Sequence, residues 1–272
     1  AMVSGYRGSP LGGIDSLMLG NAQELADNNI EFVPGLNEDL GATTVWGSQL
    51  ANRNFDGKFD GVLGMWYGKA PGVDRSGDAI RHANVCGVDP KGGVLLVAGD
   101  DPASKSSTLA SESEFALLHF QTPILYPGSV QEVADYGRIG YELSRYSGLW
   151  VSLKIVTNVA DGYSTIKVGP GRVQMERPKF EWDGVPWQHT QQDALFGPFA
   201  VRQELEIHEG RMEATDAFTR LNSLDIVSGA TSDARVGIVA AGKTYYDLRE
   251  ALDRMGLDEA ALKQRGVRLY KP

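Results

Sequence analysis

The chain has 272 residues, of which 42% are hydrophobic and 22% charged, a composition that excludes a disordered or collagen-like protein. A net charge of −9 argues against nucleic acid as the main partner, because phosphate binding requires clustered Lys and Arg. The single cysteine, Cys86, excludes an internal disulfide framework and a cysteine-ligated cluster within these residues. With no apolar run near the roughly 20 residues that span a bilayer, and no secretory signal, we expect a cytoplasmic protein without a membrane partner.

Short apolar runs alternate with helical patterns over residues 1–160, which predicts a doubly wound α/β unit with a mostly parallel sheet. We predict strands over residues 3–5, 31–33, 61–66, 94–98, 124–126 and 151–156. Because these runs are rich in Val and Leu and are flanked by Gly, the strands are expected to be buried on both faces. Ser129, which follows a Pro-Gly turn, is expected to cap the helix after the fifth strand.

The character of the sequence changes after residue 160. Residues 161–198 carry Gly, Pro, Trp and Gln with no sustained period, and their aromatic content predicts a connector that wraps a neighbouring surface in a fixed conformation. A helix is predicted over residues 202–224, with these positions among those buried: Leu205, Met212, Leu221 and Leu224. A strand, a helix and a strand follow over residues 235–270. This truncated α/β unit cannot cover two sheet faces, so we expect either a partner or, preferably, a longer polypeptide.

Ligands of open parallel sheets bind beyond the carboxyl ends of the strands, so the loops there are the candidate sites. Residues 4–13 form a Gly-rich turn with a hydroxyl at Ser9, but they match neither a Walker A loop nor GxGxxG, and a tight structural turn is an equal alternative. Residues 34–51 place Glu38 and Asp39 at the start of a helix. These acids either stabilise the helix dipole or include a buried carboxylate that transfers a proton at neutral pH.

Two further loops carry charged side chains. Residues 64–78 combine aromatics and glycines with Lys69 and Asp74, where the alternative is a solvated loop. Residues 98–115 begin with Asp100 and Asp101, followed by Lys105 and two serines. Adjacent acids in an extended chain point in different directions, so no metal site is predicted here.

In this order the four loops resemble those of the pyrimidine-binding (PYR) domain of thiamine diphosphate-dependent 2-oxoacid:ferredoxin oxidoreductases, particularly the fused bacterial form of the indolepyruvate branch. The family's Gly-Tyr-x-Gly-hydroxyl-Pro turn is matched by residues 5–10, and its Asn-Glu pair by residues 37–38. Its Lys-x-x-Gly-x-(Asn/Asp) loop is matched by residues 69–74, and its Asp-Asp-Pro with paired serines by residues 100–107. The resemblance implies a PYR domain over 1–160, an aromatic connector and helix over 161–230, and the start of a transketolase C-terminal-like domain over 231–272.

The resemblance implies an oxidoreductase that decarboxylates a 2-oxoacid, here an arylpyruvate or indolepyruvate, to an acyl-CoA with thiamine diphosphate. Electrons would pass through iron–sulfur clusters elsewhere in the full enzyme to ferredoxin, with coenzyme A as the acyl acceptor and a homodimer as the assembly. Glu38 matches the carboxylate that contacts the cofactor pyrimidine, so it is predicted to be catalytic and cofactor-binding, together with Gly72 and Asp74 as cofactor-binding residues. Ser9, Arg7 and Lys69 are predicted to bind the substrate.

The sequence also departs from the family. Arg7 stands where separate-subunit relatives often carry Pro, and Lys105 where some carry His. The Gly-Asp-Gly…Asn motif that binds the diphosphate with Mg²⁺ does not occur, nor do cluster cysteines. We therefore expect a fragment that supplies half of a cofactor site and is inactive alone. Two alternatives remain: the PYR domain of a non-oxidative thiamine diphosphate decarboxylase or synthase, and a non-catalytic assembly module of the same fold.

Overall fold

The computed structural model describes residues 1–193 and 195–272. The strands of its larger sheet are β1 (Met2–Gly5), β2 (Glu31–Pro34), β3 (Leu63–Lys69), β4 (Gly93–Asp100), β5 (Ile124–Leu125) and β6 (Val151–Val156). They form a six-stranded sheet in the order β2-β1-β3-β4-β6-β5, and every neighbouring pair is parallel. The predicted parallel α/β sheet is confirmed.

Helices cover both faces of this sheet, as a doubly wound fold requires. They are α1 (Gly13–Gly20), α2 (Ala22–Asp27), α3 (Glu38–Gln49), α4 (Ala51–Asn54), α5 (Ala70–Arg75), α6 (Gly77–Cys86), α7 (Glu114–His119), α8 (Val130–Ser147) and α9 (Thr157–Ala160). Leu143 of α8 packs with Leu95 in the core of one face. Val45 of α3 and Ile80 of α6 pack with Leu96 in the core of the other. Alternate residues of β4 thus enter two separate cores.

The ends of these elements follow the local sequence in some places and the tertiary structure in others. Ser129 caps α8 as predicted, because its hydroxyl accepts a hydrogen bond from the backbone N–H of Glu132 at 3.2 Å. Strand β3 continues to Lys69, three residues beyond the predicted end. The reason is non-local: Tyr67 and Gly68 stay paired with the long strand β4, which compensates for the weak strand propensity of glycine.

The connector packs against the larger sheet unit through aromatic side chains. It contains a short hairpin of β7 (Glu181–Trp182) and β8 (Val185–Pro186). Trp187 follows the hairpin, makes edge contacts with Phe180 and Trp182, and donates its indole N–H to the carbonyl of Tyr146 at 2.9 Å. Further along, the backbone N–H of Gln192 donates to the carbonyl of Cys86 at 2.9 Å. These contacts hold the connector across two helices of the larger unit.

The helix predicted over 202–224 is a composite of α10 (Pro198–Glu206), a π-helical turn (Ile207–Arg211) and α11 (Met212–Leu221). The prediction of its buried positions was wrong for Leu205 and Leu221, which are each 47% exposed. Met212 and Leu224 are partly buried, and Leu224 packs against the core. The π turn is wider than an α turn, so it rotates the buried face relative to a regular 3.6-residue period. The buried apolar residues are instead Ile207, Ala214 and Phe218.

An ion pair with no exposed surface lies at this π turn. Arg211 and Glu206 are both 0% exposed, and the guanidinium Nε donates to the Glu206 carboxylate at 2.8 Å. The remaining guanidinium donors reach the carbonyls of Asn84 at 2.8 Å and Thr190 at 3.0 Å and the amide oxygen of Gln203 at 2.6 Å. Because its donors are satisfied, the buried arginine joins α6, the connector and α10 in one network.

The remaining elements form a small mixed sheet. They are β9 (Ile226–Gly229), β10 (Val236–Val239), α12 (Gly242–Arg254), α13 (Glu259–Gln264) and β11 (Val267–Lys271), and the strand order is β10-β11-β9. Strand β10 is parallel to β11, and β9 is antiparallel to it. The sequence analysis missed β9, because its short run carries only two apolar residues and its partner β11 lies about forty residues away. Within the described residues, no helix combines the length and apolar character needed to cross a membrane.

The small sheet is joined to the larger unit by a buried lysine. Lys271, at the end of β11, donates to both carboxylate oxygens of Glu132 at 3.1 Å and to the hydroxyl of Tyr136 at 2.9 Å. The hydroxyl of Tyr246 donates to the same carboxylate, and so does the backbone N–H of Gly128, at 2.7 Å. This network connects β11 and α12 to the start of α8.

Candidate functional site

The four loops singled out in the sequence lie together at the carboxyl edge of the larger sheet. They follow β1, β2, β3 and β4, which are adjacent in the order β2-β1-β3-β4. Connections leave in opposite directions on the two sides of β1, so the edge between β1 and β3 is the topological switch point of the sheet. This is where open α/β sheets bind ligands, and the loops that carry Ser9 and Lys69 flank it.

Glu38 is the first residue of α3 and follows directly after the loop from β2. The helix begins here because the Asn37 side chain accepts a hydrogen bond from the backbone N–H of Leu40 at 2.8 Å. The carbonyl of Glu38 accepts the indole N–H of the fully buried Trp66 at 2.9 Å, which attaches the start of α3 to β3. The backbone of Glu38 is therefore fixed, and its side chain is partly buried.

Gly72 lies against the Glu38 side chain. A Cβ atom at this position would stand 2.6 Å from Cγ of Glu38, closer than real Cβ contacts, and 3.0 Å from Oε1, which is a tight contact. Gly72 is buried in α5, and its lack of a Cβ lets the Glu38 side chain lie against this helix. Asp74, two residues further along α5, is exposed, and in the described residues its carboxylate makes no ion pair. The structure thus brings Gly72 to Glu38 but leaves Asp74 on the surface.

Lys69 and the first loop meet beside this pair. The aliphatic stem of Lys69, at the N-terminal cap position of α5, packs against Gly8, where a Cβ would stand 3.1 Å from the lysine Cδ. Arg7 is exposed on the same loop. The two cationic residues therefore flank the turn that carries Ser9, a suitable arrangement for attracting a carboxylate.

Ser9 is joined to the fourth loop by its hydroxyl, which forms a hydrogen bond with the hydroxyl of Ser106. The next turn of the first loop also packs on β4, since a Cβ at Gly99 would stand 2.6 Å from Cγ of Leu11. Neither serine hydroxyl is enclosed, because both residues are exposed at the carboxyl edge of the sheet. Two hydroxyls from different loops thus stand side by side.

Asp100 and Asp101 point to different partners, as the sequence analysis expected. Asp100 is buried and accepts hydrogen bonds from the hydroxyl and backbone N–H of Ser113 at 2.5 and 2.8 Å. Lys154 lies 3.3 Å from its carboxylate and also pairs with Glu114. Burial raises the pKa of Asp100, and the hydrogen bonds from Ser113 and the Lys154 charge oppose that effect. This buried group anchors the far end of the loop.

Asp101 was not among the predicted site residues, although it lies in the Asp-Asp-Pro motif. Its carboxylate accepts three backbone N–H groups, from Lys105 at 2.9 Å, Ser106 at 2.7 Å and Ser107 at 2.8 Å. These bonds, led by that from Ser106, lower the pKa of Asp101 to about 2, so the group is ionised at neutral pH. The Lys105 side chain pairs instead with Asp161 at 2.6 Å.

In residues 1–193 and 195–272, no group of three or more His, Cys, Asp or Glu side chains is placed to hold a metal ion. A family model described as "Indolepyruvate oxidoreductase domain" matches residues 226–272. Individual relatives match longer stretches of the chain, from 65% to 96% of its length.

Two of these relatives are named indolepyruvate oxidoreductase subunit IorA. The one from Archaeoglobus fulgidus is 27% identical over 176 residues, 65% of this chain and 27% of the relative. The one from Methanothermobacter thermautotrophicus is 25% identical over 262 residues, 96% of this chain and 39% of the relative. The chain therefore spans between about a quarter and two fifths of the length of these relatives.

The fold is similar to that of a solved enzyme. The 2-oxoglutarate:ferredoxin oxidoreductase from Magnetococcus marinus, solved with 2-oxoglutarate, coenzyme A and succinyl-CoA bound, superposes with a TM-score of 0.68 at 15% identity. The match covers 100% of this chain and 50% of that one. The resemblance expected from the four loops is confirmed: the chain is similar over most of its length to IorA subunits of indolepyruvate oxidoreductases, and its fold is that of a 2-oxoacid:ferredoxin oxidoreductase.

Proposed function

We propose that the chain supplies the pyrimidine half of a thiamine diphosphate site in an enzyme that oxidises an arylpyruvate such as indolepyruvate. The observation that carries this proposal is the Glu38 carboxylate fixed against Gly72 at the carboxyl edge of the sheet. A glycine in that place lets the Glu38 side chain lie directly against α5, where a Cβ would meet it. A carboxylate also suits the cofactor, because it accepts a hydrogen bond from a protonated ring nitrogen.

The residues of this chain would have separate roles in binding the cofactor and the substrate. When bound, thiamine diphosphate supplies the carbon nucleophile and the electron sink for decarboxylation. Glu38 would hold a hydrogen bond to the pyrimidine and so favour the tautomer that can accept a proton, while Gly72 keeps the carboxylate in place. Lys69 and Arg7 would attract the substrate carboxylate, and the Ser9 hydroxyl would orient it. Asp74, being exposed, would act from the rim of the site.

The proposal includes the rest of the enzyme. We assign to other domains or chains the binding of the diphosphate with its Mg²⁺, the iron–sulfur clusters, ferredoxin and coenzyme A. The assembly would be a homodimer, located in the cytoplasm. Residues 1–160 would form the PYR domain, 161–230 the connector and 231–272 the start of the next domain. Cys86 fits a reducing compartment as a structural thiol, because it is buried and burial raises its pKa to about 11.

The test uses the natural protein that contains this chain, purified without added cofactor. Indole-3-pyruvate, coenzyme A and a viologen dye are supplied with and without thiamine diphosphate and Mg²⁺. We expect dye reduction and acyl-CoA formation that require the cofactor. Release of carbon dioxide without dye reduction would identify a non-oxidative decarboxylase, and failure to bind thiamine diphosphate at all would identify an assembly module. Either result would overturn the proposal.

A further inference from the structure

The hydroxyls of Ser9 and Ser106 belong to residues 97 positions apart in the chain and meet at the carboxyl edge of the sheet. Ser9 is held by the turn after β1, which packs on β4. Ser106 lies in the exposed loop after β4, with no strand or helix to hold it. An exposed serine in an irregular loop reaches a defined partner only when something else orders its backbone. The structure provides such a group in Asp101.

The buried side chain of Asp101 orders the loop after β4. The residue is 0% exposed, and its two carboxylate oxygens share the backbone N–H groups of residues 105–107 between them. Its own backbone is tied into the same turn, because its N–H donates to the Ser111 hydroxyl at 3.1 Å and its carbonyl accepts the N–H of Ser111 at 3.2 Å. One buried side chain thus replaces the hydrogen bonds that a regular element would supply.

The negative charge of Asp101 is matched by these N–H groups. Three N–H dipoles point at the carboxylate and offset part of its repulsion of an anion at the neighbouring hydroxyls. The Lys105 ammonium is directed to Asp161. The first loop itself carries the exposed Arg7, and the stem of Lys69 packs against Gly8, next to Ser9 in the sequence.

We propose that Asp101 is a positioning residue of the substrate site, which fixes Ser106 beside Ser9. Without substrate the two hydroxyls bond each other and the Ser106 hydroxyl donates to Asp101 at 3.4 Å; when the 2-oxoacid binds, each hydroxyl rotates and donates to its carboxylate instead. The inference rests on the proposed function and deepens it. It assigns a substrate-binding role to Ser106 and a supporting role to Asp101. An asparagine at position 101 would offer one carbonyl oxygen and turn an amide NH₂ toward backbone donors, so it would release the turn.

The test is a double-mutant cycle in the natural protein loaded with its cofactors, with indole-3-pyruvate as substrate and a viologen dye as acceptor. Asp101→Asn and Ser106→Ala are each expected to raise KM about tenfold with little change in kcat, as for loss of a hydrogen bond to a charged group. Because Asp101 acts through Ser106, the double variant should raise KM no further. Asp161→Asn removes the ion pair on the same turn and is the matched control, with the wild-type KM.

Amide hydrogen exchange gives a readout that does not depend on activity. Asp101→Asn should accelerate exchange of the N–H groups of residues 105–107, whereas Ser106→Ala should leave them protected. Accelerated exchange with an unchanged KM would overturn the proposal, since Asp101 would then only stabilise the loop. Effects on KM that multiply in the double variant would also overturn it. A wild-type protein that converts no 2-oxoacid would instead overturn the proposed function. That is the only result that would overturn both the proposed function and the role given to Asp101.

Discussion

Gly72 and Glu38 approach each other so closely that no side chain larger than a hydrogen atom fits between them. A Cβ at Gly72 would lie 2.6 Å from Cγ of Glu38. The glycine belongs to α5, after β3, and the glutamate to α3, after β2, so the contact joins two of the loops that the sequence analysis selected. The backbone conformation does not require this glycine, which makes the space beside Glu38 its physical reason.

The first prediction follows from this contact. Gly72→Ala should displace the Glu38 carboxylate, because the helix backbone of α5 cannot retreat as easily as a side chain. Overpacking of this kind costs about 1–3 kcal/mol, so we expect cofactor-dependent dye reduction to fall about 10- to 100-fold with the circular dichroism spectrum retained. Gly47→Ala is the matched control, since a Cβ there meets nothing within 4 Å. Equal activity of the two variants would show that the contact is irrelevant.

The second prediction concerns the attachment of the small sheet. Lys271→Met leaves the Glu132 carboxylate buried without its cation, although the Tyr246 hydroxyl and the Gly128 N–H remain as donors. Breaking a buried pair costs about 3–5 kcal/mol, and the remaining donors favour the lower value, about 3 kcal/mol, in urea unfolding. Lys263→Met, in an exposed pair with Glu259, should change stability by less than about 1 kcal/mol. A loss as small as the control's would mean that Lys271 does not hold the units together.

The third prediction is a pH dependence from His189. Burial, with the nearby Arg211 charge, lowers the pKa of His189 from 6.5 to about 4, so the folded protein keeps the ring neutral. The unfolded chain takes up a proton below pH 6.5, and the stabilisation present above that value is lost as the pH falls toward 4. The loss is at most about 3 kcal/mol. His189→Gln should remove this component, measured by urea unfolding between pH 7 and 4; identical pH dependence in both proteins would contradict the assignment.

The sequence predicted the sheet well and the surroundings of the site less well. Strand β6 was placed to the residue, because a strand buried on both faces is a continuous apolar run that local pattern alone reveals. The π turn and strand β9 escaped prediction, since the first depends on the buried Arg211 network and the second on a distant partner. Leu205 was predicted to be buried because the π turn was not foreseen, and its side chain is exposed.

The candidate site shows the same limit. The residue types of its four loops were visible, and the family resemblance selected Glu38 and Gly72 together. The distance between these two residues, and the backbone N–H groups collected by Asp101, depend on how loops from separate strands meet. A motif of two acids and two serines gives no sign of which acid turns inward toward its own loop. Only the hydrogen-bond partners in the folded structure distinguish the roles of Asp100 and Asp101.

The central claim is that Glu38 acts on the cofactor pyrimidine, and deuterium exchange at C2 of bound thiamine diphosphate tests it most directly. The natural protein is compared with Glu38→Gln and with Asp39→Asn, an acid-to-amide change at the next residue of the same helix turn. We predict that Glu38→Gln slows the exchange by about 100-fold or more, as for loss of a group that assists proton transfer, while Asp39→Asn keeps the wild-type rate. Wild-type exchange in Glu38→Gln would contradict the account.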